Sequence, residues 1–387
     1  MPDVRVTVKG LRWWRRGHPW IYRDDLVKAP REGAGDIVRV LGPAGEFLGQ
    51  YFYNPGSKIA LRLVCTEERP VDRTWWMTRL QAAIAYRARV VQESTAYRVL
   101  SSEADGFPGL IVDRYGDVLV LQCTALGMAQ QLPIIVDLLK ELLQPMAIVA
   151  RHDMAVRALE GLPQETALLH GERPGPVEIR EGEARFLVDV WTGQKTGWYL
   201  DQRENRLAAA RYARGRVLDA FAYQGGFTCH VARQAEQVIA LDSSVAALAA
   251  LTENATRNGL TNVTTLQANA FDALKEMDRR EERFDLIILD PPAFAKSRQD
   301  LAGARRGYKD LNLRALKMLT PGGHLITCSC SYNLDEATFL EILREAAADA
   351  RRTARVVEVR TQAQDHPILL ALPESHYLKC VVLEVVE

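Results

Sequence analysis

Phe284-Asp285-Leu286-Ile287-Ile288-Leu289-Asp290-Pro291-Pro292-Ala293-Phe294 is an apolar run that ends in an acid and two prolines. Further on, Leu325-Ile326-Thr327-Cys328-Ser329-Cys330-Ser331 is a second apolar run, and it ends in cysteines. Short apolar runs closed by turn residues are the mark of strands buried on both faces. Outward from these two the same rhythm continues. Strands are expected at 217–219, 238–241, 263–267, 286–289 and 324–328, with helical spacing between them. Alternation of this kind predicts an α/β fold, a mostly parallel sheet covered on both faces. Ligands of such sheets collect beyond the carboxyl ends of the strands. Asp290 and Cys330 would then face one pocket.

The chain has 387 residues, more than one average domain. Apolar residues make up 48% and charged residues 25%, the balance of a folded protein. No run approaches the roughly 20 apolar residues of a membrane span. Residues 1–10 carry charges inside their apolar alternation and lack a signal-peptide core, so no membrane partner and a cytoplasmic location are expected. Six cysteines without a CxxC pattern argue against both a metal site and a disulfide scaffold.

Before the α/β region the pattern differs. Residues 1–70 read as a small β-barrel, with strands at 5–8, 37–41, 47–52 and 59–64 and turn signals at 30–33, 42–45 and 54–56. Residues 71–185 read as an α+β segment. Helices are expected at 74–93 and 132–143, a hairpin around 113–116, and a strand at 147–150. A hairpin linker over 186–201, with strands at 186–190 and 198–200, leads into the α/β domain at 202–387.

Net charge is zero, but the charge is unevenly spread. Lys9, Arg12, Arg15, Arg16 and Arg23 lie among Trp13, Trp14, Trp20 and Tyr22 with no acid between them. Cations for phosphates beside aromatics for bases are the components of RNA recognition. The plainer alternative is a solvated loop beside a small core. A second basic cluster, Arg298, Arg305, Arg306 and Lys309, follows the Asp-Pro-Pro run and suits a substrate phosphate.

The cofactor end of the sheet is read from three strand ends. Asp219-Ala220-Phe221-Ala222-Tyr223-Gln224-Gly225-Gly226 is a strand running into a glycine turn, where backbone can approach a ligand closely. Asp242, followed by Ser243, stands about twenty residues on, where an acid can accept both ribose hydroxyls. Asn269-Ala270-Phe271 follows the third strand, placed for an adenine edge and face. A pyrophosphate would call for a fuller glycine loop, so S-adenosylmethionine fits better than NAD.

On these residues and on further motifs the chain resembles the bacterial large-subunit rRNA cytosine-C5 methyltransferases, built from a PUA domain, a central α+β domain and a Rossmann-like methyltransferase domain. The carriers are Lys9-Gly10 through Gly17-His18-Pro19-Trp20, Lys195-Thr196-Gly197-Trp198-Tyr199-Leu200-Asp201-Gln202-Arg203 and Asp290-Pro291-Pro292. Arg306-Gly307-Tyr308-Lys309-Asp310-Leu311-Asn312, Ser329-Cys330-Ser331 and Asp365-His366-Pro367 complete them. The resemblance covers nearly the whole chain. It implies S-adenosylmethionine as cofactor, with Gln202 and Arg203 among its contacts, and 23S rRNA or a pre-50S particle as partner. A homodimer is left open. It also implies Cys330 as the nucleophile. Cys328 falls where the family commonly has a bulky apolar residue, and Asn269 where an Asp is frequent.

Cytosine C5 is a poor nucleophile until a thiolate adds at C6 and makes C5 enamine-like. Cys330 is the expected thiolate, and Asp290 the group that bonds the N3/N4 edge of the base. Ala293 stands where many RNA cytosine-C5 methyltransferases place a second cysteine after a proline. Asp290, a water or Cys328 would then have to serve as the base that removes the C5 proton. The alternatives are a base-nitrogen methyltransferase acting at guanine N7 or an exocyclic amine, and a non-catalytic RNA-binding protein of ribosome assembly.

Overall fold

The structure, a computed structural model, describes residues 1–28, 33–295 and 298–386, with the side chains of Lys28 and Arg298 excepted. The turn signal at 30–33 therefore falls largely outside the described residues, as does the Arg298 side chain. The chain divides into two compact units. One comprises Met1–Ile179, Val188–Leu200 and Gln364–Ser375; the other comprises Arg180–Leu187, Asp201–Ala363 and His376–Glu387. The segment 364–375, expected within the α/β domain, thus belongs to the first unit.

The first unit holds two sheets. The six-stranded one runs Trp20–Ile21, Leu61–Cys65, Phe47–Tyr53, Ile37–Leu41, Asp3–Val6, Leu26–Lys28. Alternating residues Val4, Val6, Val38, Val40, Tyr51 and Tyr53 fill its core. The basic-aromatic run is not a loop: Val8–Arg15 is a helix, capped by the Thr7 hydroxyl, which accepts the Gly10 N–H at 3.2 Å. The five-stranded sheet runs Thr166–Gly171, Ala147–Arg151, Val118–Cys123, Leu110–Tyr115, Ala96–Ser101. Helices Arg73–Val90 and Leu126–Leu143 pack on it through Trp76, Leu80, Met128, Ile135 and Leu139. The second helix starts six residues earlier than expected, because Pro133, which favours a first turn, lies inside it.

The hairpin expected from strands 186–190 and 198–200 does not form. The paired strands are Val177–Glu181 and Ala184–Val188, while residues 190–199 form turns. Asp189 ends the second strand: its Oδ1 accepts the N–H groups of Trp191 at 2.8 Å and Thr192 at 3.1 Å. That Asx turn diverts the backbone from the sheet.

The second unit carries the seven-stranded sheet. Its order is Val263–Gln267, Gln237–Asp242, Arg216–Ala220, Phe284–Leu289, Leu319–Ser329, Lys379–Val385, Ala354–Arg360. The first five strands are parallel, and Lys379–Val385 runs antiparallel to both of its neighbours. Period-two alternation sorts the side chains onto two covered faces. Leu218, Ile287, Leu289 and Leu325 join one core; Val217, Leu286, Ile288 and Ile326 join the other. Each such side chain contributes about 1.5–3 kcal/mol on burial. This is a Rossmann-like sheet, and all of its parallel strands point their carboxyl ends the same way.

Candidate functional site

The first strand-to-helix turn is held in costly backbone. After Arg216–Ala220, Phe221 has φ 67° and Tyr223 φ 49°, left-handed values that non-glycine residues seldom adopt. Gly225 follows at φ 86°, and a Cβ there would sit 2.8 Å from Leu251 Cγ. Asp242 holds this turn: Oδ2 accepts the Tyr223 N–H and Oδ1 the Ser244 N–H, both at 2.9 Å. Ser244 in turn caps helix Val245–Arg257, leaving Ser243 exposed at its mouth. At the third strand end Asn269 caps helix Ala270–Arg279, its Oδ1 accepting the Phe271 N–H at 2.9 Å. Ala270 is buried beneath it. The cap uses one lone pair of that oxygen, and a second is left by its chemistry.

Asp219 is buried at 1% exposure. Its Oδ2 accepts the Thr228 hydroxyl at 2.6 Å, and Oδ1 has no hydrogen-bond partner among the described residues. Burial, with Asp290 and Asp242 adding repulsion against the Thr228 hydrogen bond, pushes its carboxyl up to about 7. Asp290 Oδ1 accepts Gln202 Nε2 at 2.9 Å, and Gln202 Oε1 accepts Asn205 Nδ2 at 2.7 Å. Arg203 lies beside them, 1% exposed. Three acids stand at adjacent strand ends, and one of them has an oxygen without a hydrogen-bond partner among the described residues. S-adenosylmethionine carries a sulfonium and an α-ammonium, and so fits this donor and acceptor set.

Farther along the same edge of the sheet the Asp-Pro-Pro loop meets the cysteine strand. Cys330 is half-buried, with Sγ 3.9 Å from the Pro291 carbonyl. Ser331 joins the two segments: its hydroxyl accepts the N–H groups of Phe294 and Ala295, each at 3.1 Å, and lies 3.0 Å from the Tyr308 hydroxyl. Ser329 donates to that same Tyr308 oxygen at 3.0 Å. Lys379, 1% exposed, donates from Nζ to the Ser331 and Tyr377 carbonyls at 2.8 Å. Cys328 is fully buried opposite Cys380 across the antiparallel pair. Its bond to Cys380 and its burial hold that thiol well above the usual range. Ser331, Tyr308 and Lys379 escaped the sequence reading as site residues. Ser331 and Tyr308 lay inside quoted motifs; Lys379 had no local signal at all.

The basic residues are unevenly committed. Lys9 pairs with buried Asp25 at 3.0 Å, while Arg12 and Arg15 are exposed on helix Val8–Arg15 and Arg16 lies over the Trp13 ring. Trp20 is held within the fold: its Nε1 donates to Glu103 at 2.7 Å, and Arg62 lies over its ring. Arg305 pairs with Glu341 and Glu345, and Lys309 with Glu345 and Asp349. Arg306 is exposed.

Fold and site together define an S-adenosylmethionine-dependent methyltransferase, and residues 147–368 match the family of that description. Residues 4–66 match the PUA-like domain family. Over 377 residues, 95% of both chains, the protein is 40% identical to ribosomal RNA large subunit methyltransferase I of Aeromonas salmonicida. It is 39% identical to the protein of the same name from Shewanella denitrificans, over 99% of each chain. The chain belongs to the family of the ribosomal RNA large subunit methyltransferases I. Among solved structures, SMU.776 complexed with SAH superposes over all of both chains with a TM-score of 0.86 at 21% identity, a likeness of fold. Among the described residues no helix is long and apolar enough to cross a membrane.

Proposed function

We propose that this protein forms 5-methylcytosine in large-subunit (23S) rRNA through a covalent adduct of Cys330 to C6 of the base. The observation that carries the reading is the approach of Cys330 Sγ to the Pro291 carbonyl, one residue beyond Asp290. A nucleophile and a base-holding carboxylate then share the end of one sheet. The relatives named above add the substrate, ribosomal RNA of the large subunit.

S-adenosylmethionine supplies the methyl group. Asp219, Ala220, Phe221, Tyr223, Gly225, Asp242, Ser243, Asn269, Ala270, Asp290, Gln202 and Arg203 line the ends of the strands that would hold it. Cys330 as thiolate adds to C6, opening the C5–C6 double bond toward C5. Asp290 bonds the N3/N4 edge and offsets charge that develops there. C5 takes the methyl group, its proton passes to a base, Asp290 or a water, and the C5–C6 double bond reforms as the Sγ–C6 bond breaks. Burial and pairing with Cys380 keep Cys328 from this role. Lys9, Arg12, Arg15, Arg16, Trp20, Arg305, Arg306 and Lys309 are the residues proposed for RNA. Arg12, Arg15 and Arg306 are the best placed, being exposed and outside the ion pairs above.

Mass analysis of rRNA from a strain lacking the protein tests the reading. Loss of one 5-methylcytosine is expected. Loss of a methylguanine or methyladenine mark would move the chemistry to nitrogen, and an unchanged rRNA would leave an assembly role.

A further inference from the structure

A buried ammonium is expensive unless an anion lies near it. Lys379 is 1% exposed, yet among the described residues no carboxylate is a hydrogen-bond partner of its Nζ. Its two acceptors, the carbonyls of Ser331 and Tyr377, are neutral. One is the carbonyl of the residue directly after Cys330. The third N–H of the ammonium has no acceptor among the described residues. Lys379 enters the site because Ser329 faces it across the antiparallel strand pair, so its side chain runs along the strand end that carries the cysteine.

Resting on the reading of Cys330 as nucleophile, we infer that Lys379 is a positioning residue that fixes the turn carrying Cys330 and stabilises its thiolate by charge. The groups that face this pair are Asp335 and Glu336 toward Lys379, and Tyr308 toward Cys330. Burial lowers the Lys379 ammonium to about 8, and Cys330 is the largest of the charges that oppose this. A thiolate at Cys330 would therefore favour the charged form of Lys379.

The test is the pH profile of Cys330 alkylation by iodoacetamide in the full chain without RNA, read by peptide mass. The other five cysteines are buried, which favours selective labelling. Wild type should show an inflection below the ordinary thiol value of about 8.5. Lys379→Met should raise it by about one pH unit or more, as expected when an opposite charge is removed. Lys379→Arg should restore most of the shift. A wild-type inflection at or above the ordinary value overturns the inference without any variant, so a poorly folding Lys379→Met would not shield it. Equal profiles in wild type and a natively folded Lys379→Met also overturn it. Full methyl transfer by Cys330→Ala is a separate outcome, and it would sink the underlying reading instead.

Discussion

Asp242 Oδ2 accepts the backbone N–H of Tyr223 at 2.9 Å, tying the end of the second strand to the strained turn after the first. One carboxylate thereby holds the conformation of the cofactor turn while it faces the position proposed for the ribose. Asp242→Ala should weaken S-adenosylmethionine binding by about 1–3 kcal/mol, the cost of unmade bonds to a charged acceptor. Calorimetry giving the wild-type affinity would remove this assignment.

Asp219 should make cofactor binding pH-dependent. Its folded carboxyl is raised to about 7, above its unfolded value. The stability it contributes is thus fully present below the unfolded value and is lost as pH rises through about 7. A cationic ligand favours the ionised form, so binding at about pH 6 should release a proton. Titration in buffers of different ionisation enthalpy should show that release in wild type and not in Asp219→Asn. Equal proton release in both would place the coupling elsewhere.

Covalent trapping separates the two cysteines of the strand end. RNA carrying 5-fluorocytosine at the target should leave a denaturation-resistant protein–RNA band, since fluorine does not depart as a proton does. Cys330→Ala should lose the band and turnover while keeping cofactor affinity. Cys328→Ala should keep the band, because that thiol packs against Cys380. Slowed release in Cys328→Ala would instead make it the base.

Among the cations of helix Leu301–Met318, Arg306 should matter most for RNA. Arg305 and Lys309 are held in ion pairs to Glu341, Glu345 and Asp349. Arg306→Ala should lower affinity for an rRNA fragment and reduce its salt slope by roughly one. Arg305→Ala should change the slope less. The reverse ranking in salt titrations would show that the ion pairs open on binding.

The buried Glu181 depends on Arg206, whose Nη2 lies 2.6 Å from it. Burial alone would raise Glu181, but Arg206 and His230 outweigh it and hold the carboxyl near 2. Arg206→Met should cost about 3–5 kcal/mol by removing the guanidinium that offsets that buried charge. A denaturant midpoint shift well under this would mean that Glu181 takes up a proton readily.

The parallel sheet was legible because its central strands are buried on both faces and read as continuous apolar runs such as 286–289. The residues proposed at the strand ends were read from topology together with the family resemblance. Helix Val8–Arg15 was missed because its apolar and basic residues mix within two turns, and only the Thr7 cap marks it. Residues 198–200 were read as a strand because nothing nearby reveals that Asp189 closes the preceding one. Lys379 and Ser331 lie 48 positions apart, and their bond exists only once an antiparallel strand returns to the sheet. Such a partnership has no period and no motif.

The Ser331 hydroxyl receives two backbone donors from the loop that begins at Asp290. A hinge in either segment would have to break both together. The two halves of the proposed chemistry are therefore tied to one another, and moving either aside costs both bonds. Delivery becomes the work of the nucleic acid. A nucleotide must leave its stack at a cost of roughly a few kcal/mol, least for bases already unpaired. In the proposed reaction, a stretch of RNA that surrenders a base readily would be favoured over one that does not.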